Sequence, residues 1–354
     1  MCRGSGIRIA IGLVAIAYLP LVADDHQANG PYPPVGKLVD IGGFKLHIDA
    51  TGKGKPAVIL IAGAGDFSFD WILVQPKVSR FTRVASYDRA GLAWSDPGPT
   101  PRTMRQDAYE LHLLLSKAKL AGPFVLVGHS IGGLIARVYA AQYPKEVAGL
   151  VLVDSTSEDT TLNYQGKLVR IRTTAQNRPV PPVQTMQTSP PKPPTEADRK
   201  QAEFSAQVFG PPKIEPPFDE LPVDIQKMRL WMLNHPKLQA GTDDYWPEEL
   251  QAMYDSRSGS PSPLGDLPLI VLIASKPEPA PPDIPAADWK RLADEKRQQK
   301  VDMAGLSRNH EVVFANQSGH HIQLDQPDLV VNAIHRVVES ARKHTKLSGD
   351  AHTH

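Results

Sequence analysis

The run VLVGHSIGGLIARVYA, residues 125–140, constrains this chain more than any other stretch. A short apolar run leads straight into G-x-S-x-G at Gly128–Gly132, and a helix-forming run follows at once. The five letters alone recur by chance in roughly one chain in ten of this length. Their setting carries the information. A sharp strand-to-helix turn requires glycine, because a side chain at 128 or 132 would collide with a neighbouring strand or helix. Such a turn projects Ser130 outward at the positive end of the new helix. Ser130 is therefore the candidate nucleophile, against the plainer reading of a serine at a tight turn.

The remaining pattern agrees with a strand placed between helices. AVILIA (57–62), RVASYD around 83–88, FVLVG (124–128) and GLVLVD (149–154) are apolar without alternation, as strands buried on both faces of a parallel sheet are. Upstream, KLVDI and FKLHIDA alternate around Gly42-Gly43, which predicts a hairpin. Residues 103–119 place Leu111, Leu114, Leu115 and Ala118 on one helical face, and Thr103 with Gln106 resembles a capping box. Alternating strand and helix predicts an α/β fold with a doubly wound, mostly parallel sheet.

The alternation stops between Asp154 and Leu267, where 16 of the 34 prolines fall. Helix is predicted there only over about 224–234 and 247–255, with Trp231, Tyr245 and Trp246 nearby. The strand–helix pattern resumes at PLIVLIA, continues through EVVFAN (311–316), and ends in an amphipathic helix from Pro327 to about Lys343. Ligands of open α/β sheets bind outside the carboxyl ends of the strands, so a proline-rich, largely helical insertion placed there reads as a lid.

The expected organisation is a signal peptide over 1–23, a linker over 24–36, core over 37–154, lid over 155–266, core over 267–345 and a tail over 346–354. The first segment carries Arg3 and Arg8 before an uncharged run from Ile9 to Ala23. That run is too short for an ordinary membrane span of about 20 residues and suits a cleaved export signal; an uncleaved anchor is the alternative. The expected localisation is periplasmic or secreted. The single cysteine, Cys2, lies in this segment, so a mature chain has no thiol chemistry. A net charge of +1 gives no footprint for nucleic acid. No metal cluster, phosphate loop or dinucleotide fingerprint appears, so no cofactor is implied.

The chain resembles the α/β-hydrolase superfamily through GHSIGG, YDRAGLAWSDPGP (87–99), LIAGAG (60–65) and SGHHIQLDQPDLV (318–330). The resemblance covers roughly 43–154 and 267–340. It implies that His320, directly after Gly319 and following the last strand, is the general base, with His321 as the alternative. His129 is expected to pack beside the nucleophile, and Asp88 and Arg89 to fix a nearby loop. The superfamily's usual acid follows the strand PLIVLIA, where this chain has Pro277. Some relatives, including certain haloalkane dehalogenases, carry the acid one strand earlier. Asp154, closing GLVLVD, matches that pattern and keeps the order Ser, Asp, His; Glu278 is the alternative acid. Oxyanion donors are expected from the backbone N–H groups of Ile131 and Ala64, the latter in a loop reading Ala-Gly where many relatives read His-Gly.

A serine nucleophile with a histidine base favours acyl transfer to water through an acyl-enzyme. The expectation is an exported carboxylic-ester hydrolase, lactones included, acting on a small-molecule ester. Two alternatives stand beside it. One is a small-peptide or amide hydrolase of iminopeptidase type, in which Asp243, Asp244, Glu248 and Glu249 would hold a substrate amine. The other is a binding protein that has kept the fold without catalysis.

Overall fold

The structure, a computed structural model, describes residues 31–164, 167–185, 213–234, 246–260 and 262–347. The expected export segment lies outside these residues, as do Tyr245, Asp243 and Asp244. Among the described residues ten strands form: β1 Lys37–Asp40, β2 Lys45–Thr51, β3 Ala57–Ile61, β4 Val84–Tyr87, β5 Phe124–His129, β6 Val147–Val153, β7 Thr161–Tyr164, β8 Lys167–Arg170, β9 Leu269–Ala274 and β10 His310–Ala315. Eight of them make one sheet in the order β1-β2-β4-β3-β5-β6-β9-β10. The hairpin β1–β2 and the pair β2–β4 are antiparallel, and all pairs from β4 to β10 are parallel.

Helices cover both faces. They are α1 Gln75–Val78, α2 Met104–Lys117, α3 Ile131–Gln142, α4 Val223–Asn234, α5 Trp246–Gly259, α6 Ala286–Asp302, α7 Ile322–Asp325 and α8 Pro327–Lys343. Strand β3 shows why alternation is missing from the sequence. Its Ile59 and Ile61 join the core formed with Leu111, Leu114 and Leu134 of α2 and α3. Its Val58 and Leu60 join the opposite core with Val78, Ile334 and Val337 of α1 and α8. Both faces exclude water, so every position is apolar.

Local chemistry sets the ends of the elements. Thr103 caps α2 by accepting the Gln106 N–H at 3.0 Å. Only that half of the expected capping box forms. The Gln106 side chain turns to Glu110 and to the backbone of Gln184 instead. The two N–H groups that open α2, from Met104 and Arg105, are satisfied by Glu249 of α5 at 2.7 and 3.0 Å.

The insertion after β6 forms helices where the sequence predicts them, over Val223–Asn234 and Trp246–Gly259, but its first part, expected to be irregular, holds a strand pair. It opens with an antiparallel hairpin, β7–β8, in a stretch free of proline. Glu158 lies fully buried just before that hairpin and pairs with Arg137 of α3 at 2.6 Å and Arg257 of α5 at 3.0 Å. It ties the inserted segment to the sheet-covering helix. Among the described residues, no helix is long and apolar enough to cross a membrane.

Candidate active site

Register brings the carboxyl ends of β5 and β6 level, with His129 opposite Val153. Ser130 and Asp154 therefore follow on adjacent strands, and each has left the ordinary backbone regions. Ser130 has φ 52° and ψ −122°, and Asp154 has φ 41°. Side chains other than glycine at positive φ cost about 1–3 kcal/mol and persist only where surrounding structure enforces them. Here the Ser130 N–H is held by the Val153 carbonyl at 3.1 Å, and the Ser130 carbonyl accepts from Gly133 and Thr156. The turn is tight enough that a Cβ on Gly128 would sit 2.4 Å from the Gly132 carbonyl oxygen. Gly132 is equally constrained, since its Cβ would lie 2.3 Å from the Ile61 carbonyl oxygen. Both glycines of the motif are required by close backbone approach.

The structure brings His320 to Asp154. The imidazole Nδ1 lies 2.7 Å from Asp154 Oδ2, and the other carboxylate oxygen accepts the Ala274 N–H at 2.9 Å. Asp154 is buried, and His320 keeps a side-chain exposure of 37%. With Nδ1–H donated to the carboxylate, Nε2 is the free basic nitrogen of the ring. Glu278 is exposed in the proline-rich turn, where its backbone carbonyl accepts from Trp289, so the structure joins the alternative acid to no base. The reason is topological. β6 and β9 are adjacent parallel strands, about 4.8 Å apart, so an acid at the end of either serves the same imidazole.

His321, the alternative base, points elsewhere. Its Nε2 lies 3.7 Å from Asp66 Oδ1, and its ring packs edge-on against Phe218. His129 is buried as expected, between Asp66 at Nδ1 (3.1 Å) and the His320 carbonyl at Nε2 (3.0 Å). Both partners only accept, so the neutral ring donates to one of them at a time, and the contact with the His320 carbonyl lies against the backbone of the candidate base. Burial pushes the His129 imidazolium down, to about 4. Asp66 is buried as well, yet its hydrogen bonds to His129 and His321 hold it well below the usual carboxylate range.

Asp66 and Asp70 also meet Arg229, which reaches in from α4. Its guanidinium lies 3.3 Å from Asp66, pairs closely with Asp70, and stacks over Phe218 at 3.6 Å. Burial raises Asp70 to about 6 despite that arginine. The ligand-type atoms of Asp66, His129 and His321 lie within 4.8 Å of one another. Arg229 already supplies a cation to the same carboxylate, so this grouping reads as an ion-pair network.

The loop expected to supply the second oxyanion donor is held as anticipated by YDRAG. Arg89 donates to the carbonyls of Ala62 and Gly63 at 2.5 and 2.8 Å, directly before Ala64. Asp88 accepts from the Ser68 N–H at 2.7 Å and pairs with His47 at 2.8 Å. Ile131 opens α3 directly after Ser130, so its N–H is among those left without an intrahelical partner.

Sequence reasoning missed one direct partner of Asp154. Lys300 of α6 places its ammonium 2.6 Å from the Oδ2 that faces His320. It sits in KRLADEKRQQK, where any lysine reads as solvated. The helix α6 itself was not anticipated.

A family model described as the alpha/beta hydrolase family matches residues 58–333. The chain belongs to this family. An AB hydrolase superfamily protein of Gibberella zeae is 34% identical over 114 residues, which are 31% of this chain and 35% of that protein. The chain spans between 16% and 49% of the length of such curated relatives. Among solved structures, an esterase of Thermogutta terrifontis superposes with a TM-score of 0.56 at 21% identity, covering 84% of this chain and 94% of its own. The enol-lactonase of Burkholderia xenovorans gives 0.55 at 16% identity, covering 84% and 97%. At such identities the likeness shows the alpha/beta hydrolase fold.

Proposed function

We propose that this alpha/beta hydrolase family member cleaves carboxylic esters, lactones included, through a Ser130–His320–Asp154 triad and an acyl-enzyme. The observation that carries the reading is the His320–Asp154 hydrogen bond at 2.7 Å beside a serine held at positive φ at the head of α3. In this mechanism His320 Nε2 takes the Ser130 proton as Oγ attacks the ester carbonyl. Asp154 fixes the tautomer and stabilises the imidazolium. The N–H groups of Ile131 and Ala64 receive the oxyanion, a contribution worth about 10²–10³ in rate per donor. His320 then protonates the leaving alcohol, and water, deprotonated by the same imidazole, releases the acid.

The amide-hydrolase alternative is weakened by two of its four carboxylates. Glu249 is committed to the N–H groups that open α2, and Glu248 is paired with Arg178 and the Gln176 N–H. Both are buried. Trp246 packs into the main core. A binding protein would have no need of strain at both Ser130 and Asp154, and this disfavours that alternative.

In this proposal the insertion over 155–266 acts as a lid that selects the acyl or alcohol group. Residues 1–23 direct export to the periplasm or beyond, which N-terminal sequencing of the mature chain checks. The activity is tested with a p-nitrophenyl ester series from acetate to long acyl chains, with Ser130→Ala beside the wild type. Turnover that disappears in the variant is expected. Equal turnover in Ser130→Ala, or none on any ester, overturns the assignment.

A further inference from the structure

The carboxylate of Asp154 carries one more donor than a triad acid needs. Its Oδ1 accepts the Ala274 N–H, and its Oδ2 accepts both the imidazole Nδ1–H at 2.7 Å and the Lys300 ammonium at 2.6 Å. Two donors on one oxygen place the ammonium within about 5.3 Å of the imidazole. Lys300 is mostly buried, at 18% side-chain exposure, so water screens this charge poorly.

The placement follows from the displaced acid. At the end of β6, Asp154 faces α6, the helix that begins after the proline-rich turn where the acid of relatives sits. One turn earlier on α6, Lys296 also faces this region; burial disfavours its charge, and Glu278 partly offsets that. One oxygen of the acid is thus shared by the base and a lysine.

We propose that Lys300 is a positioning residue of the triad: it fixes the Asp154 carboxylate and, by cancelling its charge, keeps His320 in its basic form into more acidic medium. This rests on His320 acting as the base of the proposed ester hydrolysis. An isolated carboxylate stabilises the imidazolium and so promotes loss of the base as pH falls. An ammonium on the same oxygen opposes that stabilisation. The net effect is activity that persists at lower pH, at the cost of a weaker hold on the imidazolium formed during attack.

Other groups face the imidazole and are accounted for. His129 packs against it at 4.7 Å between ring centroids, but burial keeps that ring neutral down to about pH 4. His321 packs at 5.4 Å, and although burial opposes its protonation, Asp66 favours it more. A His321→Gln background removes that titration from the measurement.

The test compares Lys300→Met and Lys300→Arg with the parent in that background. Two quantities are followed against pH: kcat/KM on a p-nitrophenyl ester, and the His320 imidazole resonance by NMR. Unit charges about 5 Å apart at an effective dielectric of 20–40 correspond to about one to two pH units. Lys300→Met is expected to move the acidic limb and the His320 titration upward by that amount, while Lys300→Arg keeps both near the parent. A purely structural lysine would lower the rate equally at every pH and leave the midpoint in place. An unchanged His320 midpoint in Lys300→Met overturns the proposal. Because the NMR titration needs no turnover, an enzyme inactive on all esters would refute the ester assignment and still leave the role of Lys300 decided by that midpoint.

Discussion

Replacing Asp154 by Asn is the perturbation whose outcome the geometry fixes most tightly. The Ala274 N–H must still be accepted, so the amide oxygen takes the Oδ1 position and the NH₂ takes the Oδ2 position. That NH₂ then faces two donors, His320 Nδ1 and the Lys300 ammonium. The imidazole relieves the clash by moving its proton to Nε2, where it can no longer accept the Ser130 proton. Loss of the correct tautomer costs about 10⁴ in kcat where an aspartate–histidine pair has this role. That corresponds to about 5.5 kcal/mol of transition-state stabilisation. We expect a fall of about 10³–10⁴ in kcat on a p-nitrophenyl ester, with a smaller change in KM. Glu278→Gln, exposed and unconnected to the imidazole, is expected to change kcat less than twofold. Thermal unfolding of both variants verifies that they fold. Near-normal turnover in Asp154→Asn with a large loss in Glu278→Gln would refute the reasoning.

Two further predictions concern stability and the elbow. Burial opposes ionisation of Glu158, but Arg137 and then Arg257 outweigh it and hold the carboxyl at about 2. Its folded value is therefore depressed, so its contribution of about 3 kcal/mol is present above about pH 4.5 and is lost as pH falls toward 2. Glu158→Gln should lower Tm at pH 7 by about 5–10 °C and flatten the acid side of the stability profile over that window; an unchanged profile would contradict the burial argument. Gly128→Ala introduces a Cβ at 2.4 Å from a backbone carbonyl that cannot move without unwinding the start of α3. We expect insoluble or inactive protein, and normal activity would mean that the elbow is looser than described.

How much of this was legible in the sequence differs from residue to residue. The sheet was legible because β3, β6 and β9, and β5 up to Gly128, are without polar side chains, which double-sided burial explains. Asp154 was legible because it closes such a strand. Other features depend on long-range encounters that leave no local pattern. Arg229 meets Asp66 across 163 positions, and Glu249 satisfies α2 across 145. Lys300 was hidden because a lysine in a charge-dense helix looks the same whether it faces solvent or a buried carboxylate. The hairpin β7–β8 was obscured by the prolines that follow it, whose density suggested an irregular segment from Asp154 onward.

The account stands on Ser130 being a nucleophile activated by His320. Incubation with a fluorophosphonate followed by peptide mass spectrometry reads that property directly, without knowledge of the natural substrate. One adduct per chain on the peptide containing Ser130, strongly slowed in His320→Ala, is the result expected. No adduct, an adduct on another serine, or labelling that is indifferent to His320 would contradict it.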